Sequence, residues 1–534
     1  MPSARSLERR RFCQWLSAMA AGAAWSGSAA GAMTETGPSA VALDPQRGED
    51  ELSGPRGGPW RRLMLDARVV EASEGLTRQF PEAAKHPANP VLVRDRPWEG
   101  VSAITGPYVY GTVLREEGRF RLWYQILWRG NHVGYAESQD GLHWVKPALG
   151  LIELDGSREN NLVVSAAARQ ATGGDCHNPS VLRRPGAVDP TARYALFGYD
   201  STSGHPRVAF SPDGLRWTYP AESPSRPLFT SSDVVSFFYD VYQQRYAATW
   251  KTRNRRGRAV GVAFSADGLH WTKVWDGPVF VADDLDPDAT QIYGMPVFPY
   301  QGLYVGLPWI YHARYIPYGD YSVEKLHEAQ SDSPRTIDVQ LAWSWDLVNW
   351  TRPSPRRPWL SCGAEGSWDD GTIVTARAPV RVGDELWFYY GGCNGRHDDK
   401  RVQAAIGLAT LRLDGFCALA AGEDEGWMIS RREPMRRPEV IVNARVSPGG
   451  SLVAELVDRH NHTIPGFSRQ DCQPLVGDSV RHMLRWTTPR LPDEVLRGDC
   501  KIRFWLKRAE LYSYLPSSLD PAQPDLARFP SQGP

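Results

Sequence analysis

Cysteine is scarce in this chain: seven residues in 534, with no CxxC pair and no zinc-type spacing. That excludes a disulfide-framed miniprotein and a zinc module. An excess of charge of either sign is missing too, since 61 Lys and Arg balance 61 Asp and Glu. With no long basic stripe, this argues against nucleic acid as the main partner. The densest basic run beyond the N-terminus, Arg253 to Arg258, sits between two strand-like segments and reads as a solvated hairpin tip. Beyond the first 32 residues no apolar run is long enough to span a bilayer. There is also no phosphate-binding glycine loop, no HExxH and no GxSxG in a strand–turn–helix context.

What is present is a repeat. Ser138 to Trp144 (SQDGLHW) returns as SPDGLRW (Ser211 to Trp217), as SADGLHW (Ser265 to Trp271), and in worn form as SWDLVNW (Ser344 to Trp350). The uneven spacing rules out a solenoid and suits propeller blades with variable loops. Asp-Gly between apolar runs is a hairpin signal, because Gly accepts positive φ and Asp bonds its own backbone. Independently of the turn, three apolar strands recur in fixed order. The middle ones are RFRLWYQ, RYALFGYD, RYAATWK, GLYVGLPWIYH and ELWFYYGG. Five such triplets predict an all-β fold with a five-bladed β-propeller over 98–414.

The flanks differ in character. Arg9-Arg10-Arg11-Phe12, an Ala/Gly-rich stretch and Ala30-Gly31-Ala32 read as a twin-arginine-type signal peptide over 1–32. Such a signal places the mature chain in the periplasm or outside the cell. Its removal takes Cys13 and leaves six scattered cysteines, which read as small buried residues. Residues 33–58 read as a linker and 59–97 as a segment bracing the propeller. From Gly415 the Asp-Gly turns stop and strands shorten their spacing, which predicts a β-sandwich over 415–516. The tail 517–534 is Pro- and Asp-rich and reads as loose. His460 and His462 sit in a polar turn, where a turn role outweighs a metal site.

Long motifs, among them KHPANPVL, ESQDGLHWVKPALGLIELDGSRENNLV, YGMPVFPYQGLYVGLPW and PGFSRQDCQPLVGDSVRH, carry a family resemblance over nearly all of the mature chain. It resembles bacterial secreted proteins with a glycoside hydrolase-like five-bladed propeller, related to glycoside hydrolase families 32 and 43, followed by a C-terminal β-sandwich. The repeated turn is similar to the Asp-box of sialidase propellers, where it is architectural. The resemblance implies three carboxylates on innermost strands around a central pocket. The chain departs from the family patterns. NDPNG, RDP and the Glu-Cys motif are absent, and Asn178 stands where family 43 would offer an Asp before Pro-Ser-Val.

The site is therefore read from position. Segments leading into innermost strands lie near the axis, and each carries an acid: Glu99, Asp175, Asp233, Asp286 with Asp288, and Glu365 with Asp369 and Asp370. Glycoside hydrolysis needs one carboxyl held protonated and one ionised. Asp233, with no adjacent charge in sequence and an apolar strand after it, is the first candidate. Glu365 or Asp370 is the candidate partner, and Asp338, a lone acid in an apolar strand, a supporting group. Trp98, Glu99, His177, Asn178, Tyr293 and Trp368 are candidate substrate-binding residues. The expected activity is cleavage of glycosidic bonds in an oligo- or polysaccharide. The alternative is a carbohydrate-binding propeller without turnover. No cofactor or catalytic metal is expected, with room left for a structural divalent cation. The partner is carbohydrate, with no nucleic acid and no membrane once the signal is removed; nothing fixes an oligomeric state.

Overall fold

The computed structural model describes residues 60–516, apart from 101–105, 167–173, 221–226, 315–330, 332, 398, 400–401, 434 and 497–499. The signal peptide, linker and tail expected from the sequence lie outside the described residues. The chain is built almost wholly of strands, as its β-branched and aromatic runs predict. No helix among the described residues is long and apolar enough to cross a membrane.

Five antiparallel meanders follow one another. Blade 1 comprises Tyr108–Glu116, Arg119–Leu127, Asn131–Ser138 and Leu162–Ser165. Blade 2 comprises His177–Arg183, Tyr194–Asp200 and His205–Ser211, and blade 3 runs from Val235–Asp240 to Thr272–Lys273. In blade 4 each of the first three strands is split. Pro296 and Pro308 lie in two of the breaks and lack the N–H a ladder needs. Their carbonyls still accept, from Leu307 N and Gln340 N at 2.9 Å each, so the sheet continues across the gap. Blade 5 comprises Thr372–Thr375, Glu385–Cys393 and Ala404–Arg412, and its outer edge is taken by Ala84–Lys85 from the N-terminal segment.

Blade-to-blade hydrogen bonds near the axis close the ring. Val181 N donates to Thr112 Oγ1 at 3.0 Å, joining blades 2 and 1. Phe237 N donates to Ser180 Oγ at 3.2 Å and Thr249 Oγ1 to Met295 O at 2.6 Å. Trp309 Nε1 donates to Thr375 Oγ1 at 3.2 Å, and Arg377 N to Gly111 O at 3.1 Å. Five junctions, each satisfying a buried polar group, make the fold a closed five-bladed propeller.

The repeated turn proves to be the fastener between blades. In the first copy Ser138 Oγ accepts from Gly141 N, and Asp140 Oδ1 accepts from Leu142 N and His143 N, all at 2.8 Å. The same bonds recur around Asp213, Asp267 and Asp346. Each turn docks on the preceding blade: Tyr389 Oη donates to Gly141 O, and Trp123 Nε1 to Gly214 O. In the worn copy Leu347 occupies the glycine position at φ 69°. It is buried in a cluster with Val260 and Val262 of blade 3, so packing offsets the left-handed backbone. These turns end third strands, whereas the axial mouth precedes first strands. In a meander those two points lie at opposite ends, so the turns sit away from the mouth.

The C-terminal region is built on two long strands, Glu439–Val457 and Lys501–Pro516, paired along most of their length. Register shifts after Asn443 and Val446 bend the pair. The N-terminal segment contributes here as well as to the propeller, because Arg62–Leu63, Val70–Glu74 and Thr77–Gln79 all join this sheet. No disulfide forms among the six described cysteines; five are buried and Cys362 is half-buried.

Candidate functional site at the axial mouth

Asp233 ends the segment leading into the first strand of blade 3, and the hairpin register decides what stands beside it. Val235 pairs with Trp250, and Lys251 N donates to Val234 O at 2.9 Å, so Lys251 lies alongside Asp233. Lys251 Nζ reaches Asp233 Oδ1 at 2.5 Å; the lysine side chain is 9% exposed and the carboxylate 45%. The absence of a neighbouring charge expected from the sequence is thus corrected, because the charge arrives across the strand pair. Burial raises the Asp233 carboxyl, but Lys251, His177 and a hydrogen bond from Ser232 outweigh it and hold it well below the usual carboxylate range. Asp233 is ionised, and burial, with smaller contributions from Arg258 and Arg253, pulls the Lys251 ammonium down against the pull of Asp233.

Neutral donors and acceptors surround this carboxylate. His177 Nδ1 lies 3.0 Å from Asp233 O; a carbonyl only accepts, so Nδ1 carries the proton and Nε2 is left as an acceptor. Burial holds its pKa below the ordinary histidine value, with Asp233 opposing. The His177 ring meets Tyr110 edge-on at 5.2 Å, and Tyr110 meets Trp309 at 5.4 Å. Lys251 Nζ sits 4.6 Å from the centre of the Tyr293 ring, and His397 packs on the same ring at 4.8 Å. Burial, then Asp233, raises Tyr293; burial, then the neighbouring tyrosines, raises Tyr110, so both phenols stay protonated. The mouth thus joins blades 1 to 5 through Tyr110, His177, Asp233, Tyr293 and His397. Tyr110, Lys251, Trp309 and His397 were not singled out in the sequence; the signal for Lys251 was the hairpin register alone.

The other expected residues are dispersed. Glu99 is fully buried, and its oxygens take the Asp95 N, Arg96 N and Tyr124 Oη hydrogen bonds together with Lys146 Nζ at 2.7 Å. It is a structural ion pair, which corrects its substrate-binding role. Trp98 is tied to Asn161 Oδ1 at 2.8 Å in the same cluster. Asp370 closes turns, accepting from Gly366 N at 2.8 Å and Gly395 N at 2.9 Å, so its carboxylate is unfit to donate a proton to a leaving group. Trp368 stacks on Tyr390 at 5.6 Å, which gives that ring face to the protein and not to a sugar. Asp338 pairs with His312 Nε2 at 2.7 Å, and its other oxygen is buried without a partner. Asn178, at φ 57°, accepts from Val235 N at 3.4 Å and joins blades 2 and 3, a conformation an amide tolerates. Glu365 stands exposed on the turn from Ala364 to Ser367, with no hydrogen bond to its carboxylate among the described residues. Among those residues no group of three or more His, Cys, Asp or Glu is placed to hold a metal.

The fold defines a class, a closed five-bladed all-β propeller followed by a β-sandwich. Solved structures similar to it are glycoside hydrolases. A glycosyl hydrolase from Bacteroides ovatus matches at 16% identity and a TM-score of 0.39, over 62% of this chain and 94% of that one. A family 32 beta-fructofuranosidase from Bombyx mori matches at 11% and 0.38, over 82% and 96%. A fructofuranosidase from Schwanniomyces occidentalis, complexed with fructosylnystose, matches at 11% and 0.37, over 78% and 95%. No family model matches the chain. No curated protein matches it either.

Proposed function

We propose that this protein is an exported glycoside hydrolase whose substrate, an oligo- or polysaccharide, enters the axial mouth. The observation that carries the reading is Asp233, half-exposed yet held ionised by buried Lys251, amid protonated tyrosines and a neutral histidine. An ionised carboxylate facing solvent serves as nucleophile, or as base for water. Tyr110 and Tyr293 supply hydroxyl donors, His177 Nε2 an acceptor, and Trp309 an apolar ring. Glu365, exposed and free of turn bonds, is assigned the proton-donor role. The twin-arginine-type segment supports work in the periplasm or outside the cell.

A second reading, a carbohydrate-binding propeller without turnover, is favoured by one observation. Asp370 and Glu99, two of the other acids leading to the axis, are engaged within the protein. One experiment separates the two readings. The chain is incubated with a glycan panel and aryl furanosides and pyranosides, and products are separated by chromatography. Product release supports the hydrolase. Binding without release across the panel establishes the second reading, and neither binding nor release overturns both.

A further inference from the structure

Continuous with the mouth through Tyr110 and Trp309, a cavity has Asn178, Ser180, Ser236, Thr375 and Arg377 as its other polar lining. Arg377 is 7% exposed, its Nε has no partner, and no carboxylate among the described residues pairs with it. Its one side-chain hydrogen bond runs from Nη2 to Val181 O at 3.3 Å. Burial alone pushes the guanidinium down to about 10, with no opposing carboxylate. Buried charges in proteins are ordinarily paired, because an uncompensated one is costly.

The remaining lining is selective in sign. Ser180 Oγ already accepts from Phe237 N, and Thr375 Oγ1 from Trp309 Nε1, so each hydroxyl has its proton left to donate. Asn178 Oδ1 accepts from Val235 N, which leaves its amide N–H groups. The bonds that close the propeller ring thus consume acceptors and leave donors facing the axis. No acidic side chain lines the cavity. We propose that the axial cavity is an anion site, in which Arg377, Ser180, Thr375 and Asn178 take a small monovalent anion of halide or carboxylate size. The anion neutralises the guanidinium and ties blades 2 and 5 together across the axis.

The test uses the whole chain and sodium bromide. Crystals grown in bromide and measured at the bromine edge should show an anomalous peak beside the Arg377 guanidinium. In solution at constant ionic strength, bromide should raise the unfolding midpoint by about 1–3 °C and saturate. Arg377→Met should lose that shift, and Thr375→Val, which keeps the guanidinium, should weaken the bromide midpoint about tenfold. Sodium glucuronate displacing bromide would mark an acidic sugar's carboxylate as the occupant; no displacement would mark a free inorganic anion. A wild-type crystal without the peak overturns the proposal, whether or not Arg377→Met folds. A bromide shift unchanged in Arg377→Met overturns it as well.

Discussion

Lys146–Glu99 on the rim of blade 1 and Lys251–Asp233 at the mouth are both close lysine–carboxylate pairs, at 2.7 and 2.5 Å. In the first, the carboxylate is fully buried and takes two backbone N–H groups, a tyrosine hydroxyl and the lysine. In the second, the carboxylate is 45% exposed and takes the lysine and one serine hydroxyl. The same two residue types therefore serve different ends. A carboxylate whose acceptor positions are filled from within is architecture. One left partly open to solvent, and kept charged by a buried cation, has capacity for a ligand. Position in the sequence did not separate them, since both acids precede a first strand.

That contrast can be broken from either side. The largest effect is expected from Glu99→Ala. It takes the fully buried carboxylate from Lys146, leaving it only the half-exposed Asp95, and strips the Tyr124 hydroxyl and two backbone N–H groups of their acceptor. The change should cost about 3 kcal/mol in urea unfolding, with little change in glycan binding. A variant as stable as wild type would remove the architectural reading of the rim pair. At the mouth, Lys251→Met should lower kcat/KM about 10- to 100-fold. It should also move the acid limb of the pH–rate profile upward, because Asp233 loses the cation that depresses its pKa. An unmoved acid limb would mean that Asp233 does not govern the rate. Asp267→Ala removes two backbone hydrogen bonds of a fastening turn far from the mouth. It should cost about 1–2 kcal/mol in thermal unfolding and leave activity intact.

Smaller effects concern two histidines with opposite signs. His177 is held below its ordinary pKa by burial, so its contribution is present above about pH 6.5 and is lost as the unfolded state protonates below it. His177→Gln should flatten the fall in stability between about pH 7 and 5. His312 is lowered by burial but raised more by Asp338, so its contribution is present below about pH 6.5 and is lost as pH rises through the folded value. His312→Gln should therefore flatten loss on the alkaline side of that window; the two variants shifting in the same direction would contradict this assignment.

Much of the fold was legible because propeller blades repeat. Ser-x-Asp-Gly and the strand triplets exposed five blades, and even the worn copy with Leu347 kept its bonds. Two things were not legible. One is that the N-terminal segment divides its strands between the C-terminal sheet and the edge of blade 5, which is a matter of long-range pairing. The other is the site. Whether an acid near a first strand faces a ligand, a turn or a lysine depends on side chains far apart in sequence: Lys146 for Glu99, Gly395 for Asp370, Lys251 for Asp233. Asp233 stood out because it has no adjacent charge in sequence and an apolar strand after it. Glu99 and Asp370 looked similar in sequence and are held inside the structure.

The central claim is that the half-open carboxylate of Asp233 performs the chemistry. The measurement that tests it most directly is kcat/KM of Asp233→Asn on the best glycan of the panel, with circular dichroism confirming the native fold. A fall of at least about 100-fold with unfolding unchanged is the predicted result. Turnover within about twofold of wild type would contradict it and move the chemistry elsewhere on the propeller.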